Sequence, residues 1–88
     1  MKKAHIKIGK RYTDNKDNVR EVLAKGPEYL SYSGQAETDN LRYRVIAKKL
    51  GPHPVGAERN STCASFATWA KAEVQQVING GSRRGYER

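Results

Sequence analysis

Cysteine, tryptophan, phenylalanine and methionine each occur once in this chain of 88 residues. With Cys63 alone, no internal disulfide can form, so the chain fits a reducing cytoplasm. No stretch approaches the roughly 18 apolar residues a membrane-spanning helix needs. The lysines of the opening MKKAHIKIGKRY are not followed by the apolar run of a secretory signal. No membrane partner is expected. Hydrophobic residues make up only 36% of the chain. A single domain of this length buries about 60–65% of its unfolded surface, a thin margin that dimerisation or a bound partner would widen. The chain is expected to be a monomer or a homodimer.

Catalytic constellations are missing as well. The soft metal ligands are His5, His53 and Cys63, with no CxxC or HxxxH spacing among them. A zinc site would have to borrow a carboxylate or water. Cys63 falls in the first turn of an expected helix, where the dipole could lower its pKa and His53 could approach. No third group orients such a pair, and a buried structural thiol is the plainer reading. There is no GxxxxGKS/T and no GxGxxG to cradle phosphates. The polar run TDNKDN lacks the ligand spacing and terminal Glu of a calcium loop, and reads as a hairpin turn. The expectation is a non-enzymatic protein without metal or cofactor.

What is present is positive charge. Seventeen Lys and Arg oppose nine Asp and Glu, a net charge of +8. Such a balance favours acidic partners. The excess lies in residues 1–11, 41–59 and the tail 79–88, while 12–40 is mildly acidic.

Periodicity places the elements. In residues 5–12, Ile6 and Ile8 alternate with His5 and Lys7, as in a half-buried strand. Residues 19–24 read as a second strand whose imperfect alternation leaves a bulge or a short helix open, ended by Lys25-Gly26-Pro27. Residues 28–32 are β-prone through Tyr29 and Tyr32, and 33–40 form a polar connector. Residues 41–50 are the clearest strand: Leu41, Tyr43, Val45 and Ala47 share one face, Arg42, Arg44, Ile46 and Lys48 the other. Gly51-Pro52-His53-Pro54 forces a break, after which 55–58 can form a short last strand. Ser61 or Thr62 can cap a helix over 62–78, whose stripe is Phe66, Trp69, Ala70, Val74, Val77 and Ile78. Asn79-Gly80-Gly81 stops it, leaving 79–88 as a frayed basic tail. The fold expected for 1–78 is α+β: a small antiparallel sheet or partly open barrel of about five strands, closed by one C-terminal amphipathic helix.

Arg42, Arg44 and Lys48 form a basic strand face, which Lys7, Lys10 and Arg11 extend if the first strand pairs nearby. Tyr12, Tyr29 and Tyr32 can supply stacking surfaces, so the same face suits RNA or single-stranded DNA. A helix-turn-helix reading fails, because one helix with the neutral exposed set Lys71, Glu73, Gln75 and Gln76 offers phosphates little.

The succession KIGKRY, NVREV, YRV, VG and CASFATWAKAEV resembles a class of small proteins encoded by phages and prophages. The matching positions are Gly9, Tyr12, Val19, Arg20, Val22, Tyr43, Arg44, Val45, Val55, Gly56, Phe66, Trp69 and Ala70. The resemblance spans most of 6–74. It implies an SH3-like β-barrel ending in a helix with a Phe-x-x-Trp-Ala core, and an origin in a mobile element. It transfers no active site. It also implies the cytoplasm of a bacterial host and a role in binding: an anti-CRISPR-like accessory protein that docks on a host protein or ribonucleoprotein complex. Arg42, Arg44, Lys48 and Lys49 would make the electrostatic contact. Direct binding of RNA or DNA is the alternative. The connector 33–40 and the GPHP loop depart from the pattern, and loops on a rigid scaffold are where specificity resides.

Overall fold

The computed structural model describes residues 1–48 and 54–74. Within them a 3-10 turn (Lys3–His5) precedes β1 (Arg11–Thr13), β2 (Val19–Lys25), β3 (Asn40–Ala47), β4 (Glu58–Thr62), α1 (Cys63–Trp69) and β5 (Ala72–Val74). Every pairing is antiparallel and the order across the sheet is β4-β3-β2-β1-β5. The described residues form a small α+β fold with one short α-helix. Among the described residues β4 and β5 are not paired, so the sheet stays open.

The alternation in β3 is what the sequence predicts: Leu41, Tyr43 and Val45 are buried, while Arg42 and Arg44 are half-buried on the other face. The strand ends at Ala47, short of the expected 50. β2 also forms where expected, with register shifts at Val19/Arg20 and Val22/Ala24. The turn between β1 and β2 is built from its own side chains. Asn15 and Asp17 take positive φ of 64° and 67°, a region that short polar residues tolerate. The Thr13 hydroxyl accepts from the Asn15 amide at 3.0 Å, and the Asp14 carboxylate accepts from the Lys16 amide and the Asn18 side chain, each at 2.9 Å.

The expected first strand over 5–12 is corrected. Ile6 is buried, but Ile8 stands out in water. The Tyr12 hydroxyl accepts from the Lys7 amide and donates to the His5 carbonyl, both at 2.7 Å. These bonds engage two backbone groups outside any strand ladder. Gly9, at φ 85°, then turns the chain into β1. Residues 28–32 form no strand; they belong to the connector 26–39 between β2 and β3, which folds back on the sheet. The expected strand at 55–58 begins only at Glu58, because Gly56 at φ 93° is still turning.

The helix is the largest correction. Thr62 caps it by accepting from the Ser65 amide at 3.1 Å, as expected, but α1 stops at Trp69 rather than running to 78. Ala70 is extended, at φ −74° and ψ 127°. The Lys71 amide donates to the Thr13 carbonyl at 2.8 Å, and Val74 pairs with Arg11. The open edge of β1 offers unpaired backbone groups that β5 satisfies, and this outweighs helical propensity. Val74 therefore belongs to the sheet. Val77, Ile78 and the tail 79–88 lie outside the described residues.

The core lies between the inner sheet face and α1. Tyr12, Val22, Leu41, Tyr43 and Val45 meet Cys63, Phe66, Ala67 and Ala70, with Ile6 closing one side. Phe66 stands edge-on to Tyr12 (5.8 Å between centroids) and against Tyr43 (5.6 Å) and Trp69 (5.2 Å). Burying such a side chain is worth about 1.5–3 kcal/mol. Arg20 completes the layer, its guanidinium 4.7 Å from the Tyr43 ring and 4.1 Å from the Trp69 ring.

Candidate nucleic-acid interface

The outer face of the sheet carries the charged residues, and the register sets them in rows. Arg11 lies opposite Glu21, Glu21 opposite Arg44, and Arg44 opposite Glu58. Signs alternate along this row across four strands. Arg42, two residues from Arg44, lies opposite Asn60. Glu58 bridges both arginines, 3.1 Å from Arg42 Nε and 3.4 Å from Arg44 Nη2. Arg42 Nη1 also donates to Asn60 Oδ1 at 2.8 Å. The hydrogen bond from Arg42, foremost, holds the Glu58 carboxyl below its ordinary value; desolvation opposes it, and a further bond from Arg44 and the charges of both arginines add to the lowering. Arg11 reaches Glu21 at 3.8 Å, a looser pair.

This places the residues singled out from the sequence. Arg42 and Arg44 do share one face, and Arg11 joins it through the row that Glu21 bridges. The face is less basic than the strand alone implies, since Glu21 and Glu58 answer its arginines. Lys7 and Lys10 are exposed on the turn before β1, not on a strand. Lys48 follows the end of β3. Lys49 and His53 lie outside the described residues. Tyr12 is corrected: it is fully buried, and burial above all pushes its hydroxyl pKa up, so it offers no stacking surface. Tyr29 is half-buried. Tyr32 is 66% exposed.

The connector 26–39 sets Tyr32 on a groove that adjoins the one walled by Arg42 and Arg59. Its anchor is Asn40, 1% exposed. Asn40 Nδ2 donates to the Glu37 carbonyl at 3.0 Å, and Asn40 Oδ1 accepts from Gln35 Nε2 at 2.7 Å. At β4, Asn60 Nδ2 donates to the Leu30 carbonyl at 2.9 Å. Two grooves result, sharing Ser31 and Asn60. The larger, about 390 Å³, is walled by Tyr32, Tyr43, Gln35 and the hydroxyl residues Ser61, Thr62 and Ser65. The smaller, about 240 Å³, is walled by Leu30, Arg42, Glu58 and Arg59. Sequence reasoning missed Asn40, Arg59 and Asn60. Only the register sets Arg59 opposite Tyr43 and Asn60 opposite Arg42.

The thiol is not poised for chemistry. Cys63 is buried, and burial, then a hydrogen bond to Asp39, raises its pKa from 9.0 to about 11. The bond from that thiol, with Lys3 at 3.2 Å, lowers Asp39 in turn. Among the described residues no cluster of three or more His, Cys, Asp or Glu is placed to hold a metal, and no helix is long and apolar enough to cross a membrane.

No family model matches the chain, no curated protein is similar to it in sequence, and no solved structure matches its fold.

Proposed function

We propose that this chain is an SH3-like barrel-plus-helix domain of phage or prophage origin, working in the bacterial cytoplasm as a non-enzymatic binding module for nucleic acid. Pairing of the first and last strands within the order β4-β3-β2-β1-β5 supports the barrel-like winding. The observation that carries the nucleic-acid reading is the pair of adjoining grooves sharing Ser31 and Asn60, one walled by exposed Tyr32 and the other by Arg42 and Arg59. A cation and an aromatic face at adjoining sites match a phosphate and a base.

The test is titration of a labelled oligonucleotide at several salt concentrations. Binding to phosphates makes the logarithm of affinity fall linearly with the logarithm of salt, by about 0.7 per phosphate for a single strand. Changing Arg42→Glu and Arg44→Glu together is expected to weaken binding about tenfold or more and to flatten that slope. An unchanged titration would sink the assignment of the arginine face.

The second reading is a docking inhibitor of a host complex, anti-CRISPR-like. Leu30 and Tyr32, both exposed on the same connector, with Leu30 in one groove with Arg42, favour it, because aromatic and arginine side chains dominate protein interfaces. It predicts weak affinity for naked nucleic acid at any salt, and retention on the complex after nuclease treatment.

A further inference from the structure

We infer that the β4 edge is a single-strand subsite, in which one unstacked base enters the larger groove against Tyr32 while Arg59 takes the adjoining phosphate. The inference rests on the nucleic-acid reading above and gives it a strand type and a pair of contact residues.

Tyr32 is not on a loose loop. The Ser31 amide donates to Gln35 Oε1 at 3.0 Å, the Gln35 amide donates to the Tyr32 carbonyl at 3.3 Å, and Gly34 makes the turn at φ 82°. Gln35 Nε2 is held by buried Asn40 at 2.7 Å. A bonded turn thus presents a large aromatic ring to water beside an open groove. A ring presented in this way loses little further entropy on binding. The groove, about 390 Å³, falls in the lower part of the roughly 300–1,000 Å³ range of small-molecule sites, which leaves room for about one base with its sugar. Bases in a duplex are stacked and paired; a single strand can turn one outward at lower cost.

The phosphate contact falls to Arg59 for a reason of charge. Arg42 already spends its guanidinium on Glu58 and Asn60, and Arg44 on Glu58. Arg59 is exposed and makes no ion pair within 4.0 Å with a carboxylate of the described residues. Among the described residues it is the cation on this edge whose charge no carboxylate answers. Asn40, which bonds the groove residues Gln35 and Glu37 without itself lining the groove, acts as a positioning residue for Tyr32 through Gln35.

The experiment uses the full chain and fluorescein-labelled mixed-sequence oligonucleotides of about 12 nucleotides, within the span a small module covers: RNA, DNA, and the DNA annealed to its complement. Both single strands are expected to bind at least about tenfold more tightly than the duplex, with RNA and DNA ranked by the same titration. Tyr32→Ala should weaken single-strand binding about 10- to 100-fold without changing the salt slope, and Tyr32→Phe should restore it. Arg59→Gln should reduce the slope by about 0.7. All three variants lie on the surface, and an unchanged melting midpoint confirms that they fold. Equal affinity for duplex, or full affinity in Tyr32→Ala while Arg42→Glu/Arg44→Glu abolishes binding, overturns the subsite and leaves the general reading standing. Wild-type protein that binds none of the probes at low salt overturns both.

Discussion

Arg20 and Arg44 sit on paired strands and carry the same side chain, yet the two faces of the sheet use them differently. On the inner face Arg20 lies flat between Tyr43 and Trp69, and its charge is met by π-electrons. On the outer face Arg44 and Arg42 share one exposed carboxylate. The first arrangement covers the rim of the aromatic core. The second is a solvated ion-pair network of the kind that contributes little to folding, about 0–1 kcal/mol per pair in general. Stability therefore concentrates on the inner face, and charge on the outer face can be altered or recruited by a partner with little cost to the fold.

The strongest challenge to that division is Phe66→Ala. Phe66 is buried and touches Tyr12, Tyr43 and Trp69, so the cavity should cost about 3–5 kcal/mol in a urea melt. A loss below about 1 kcal/mol would mean that the inner face is not where stability resides. Trp69 is only partly buried and should cost less than Phe66 on the same measurement.

Asn40 sharpens the comparison, because by alternation it shares the side of β3 that holds Arg42, yet the connector buries it. Asn40→Ala removes two hydrogen bonds and leaves the Gln35 side-chain amide and the Glu37 carbonyl bonded only to each other, at 2.9 Å; at about 0.5–1.5 kcal/mol per bond the loss is about 1–3 kcal/mol. It should also weaken single-strand binding about as Tyr32→Ala does, since the Tyr32 turn loses its anchor.

Acid and alkali should separate the two faces. The Cys63 thiol holds its proton more tightly folded than unfolded, with its pKa raised to about 11. Its contribution is complete below the unfolded thiol pKa and is lost as pH rises through the folded one. Melting midpoints should fall across that alkaline window, and fall less in Cys63→Ala. Glu58 and Asp39 are lowered, first by the Arg42 hydrogen bond and the Cys63 thiol respectively. Their contribution is present above the ordinary carboxylate pKa, about 4, and is lost as pH falls through the lower folded values. Midpoints that stay level through both windows would remove both linkages.

The smallest effect on folding belongs to Glu58→Gln, which should leave the melting midpoint nearly unmoved. It releases Arg42 and Arg44 from their shared anion, so affinity for a labelled single strand should rise several-fold at low salt. A large drop in stability with no gain in binding would contradict the assignment of the outer face.

The parts of the molecule legible in its sequence are those decided by neighbours in the chain. The alternation of Leu41, Tyr43 and Val45 with arginines, the Asp/Asn turn, and the Thr62 cap need no distant partner to be read. β5 could not be read, because Val74 fits a helical stripe and a strand equally well, and only the open edge of β1, some sixty residues earlier, decides between them. The candidate site was half legible for the same reason. Arg42, Arg44 and Tyr32 declare themselves by type and spacing. Glu58, Arg59 and Asn60 acquire meaning only from the register that seats them opposite Arg44, Tyr43 and Arg42. Tyr12 was misread because its value lies in a hydroxyl that ties down two backbone groups, which no periodicity reports.

The pairing of β5 with β1 also sets a schedule. β1–β2 and β3–β4 are joined by short spans, so their loops close at small entropic cost, which grows only logarithmically with length. The β1–β5 seam joins residues 11–13 to 72–74 and must wait for everything between. During synthesis the β1 edge is exposed until its distant mate leaves the ribosome. The meander from β1 to β4 is thus the natural nucleus, and addition of β5 to the β1 edge is the late, slow event of folding.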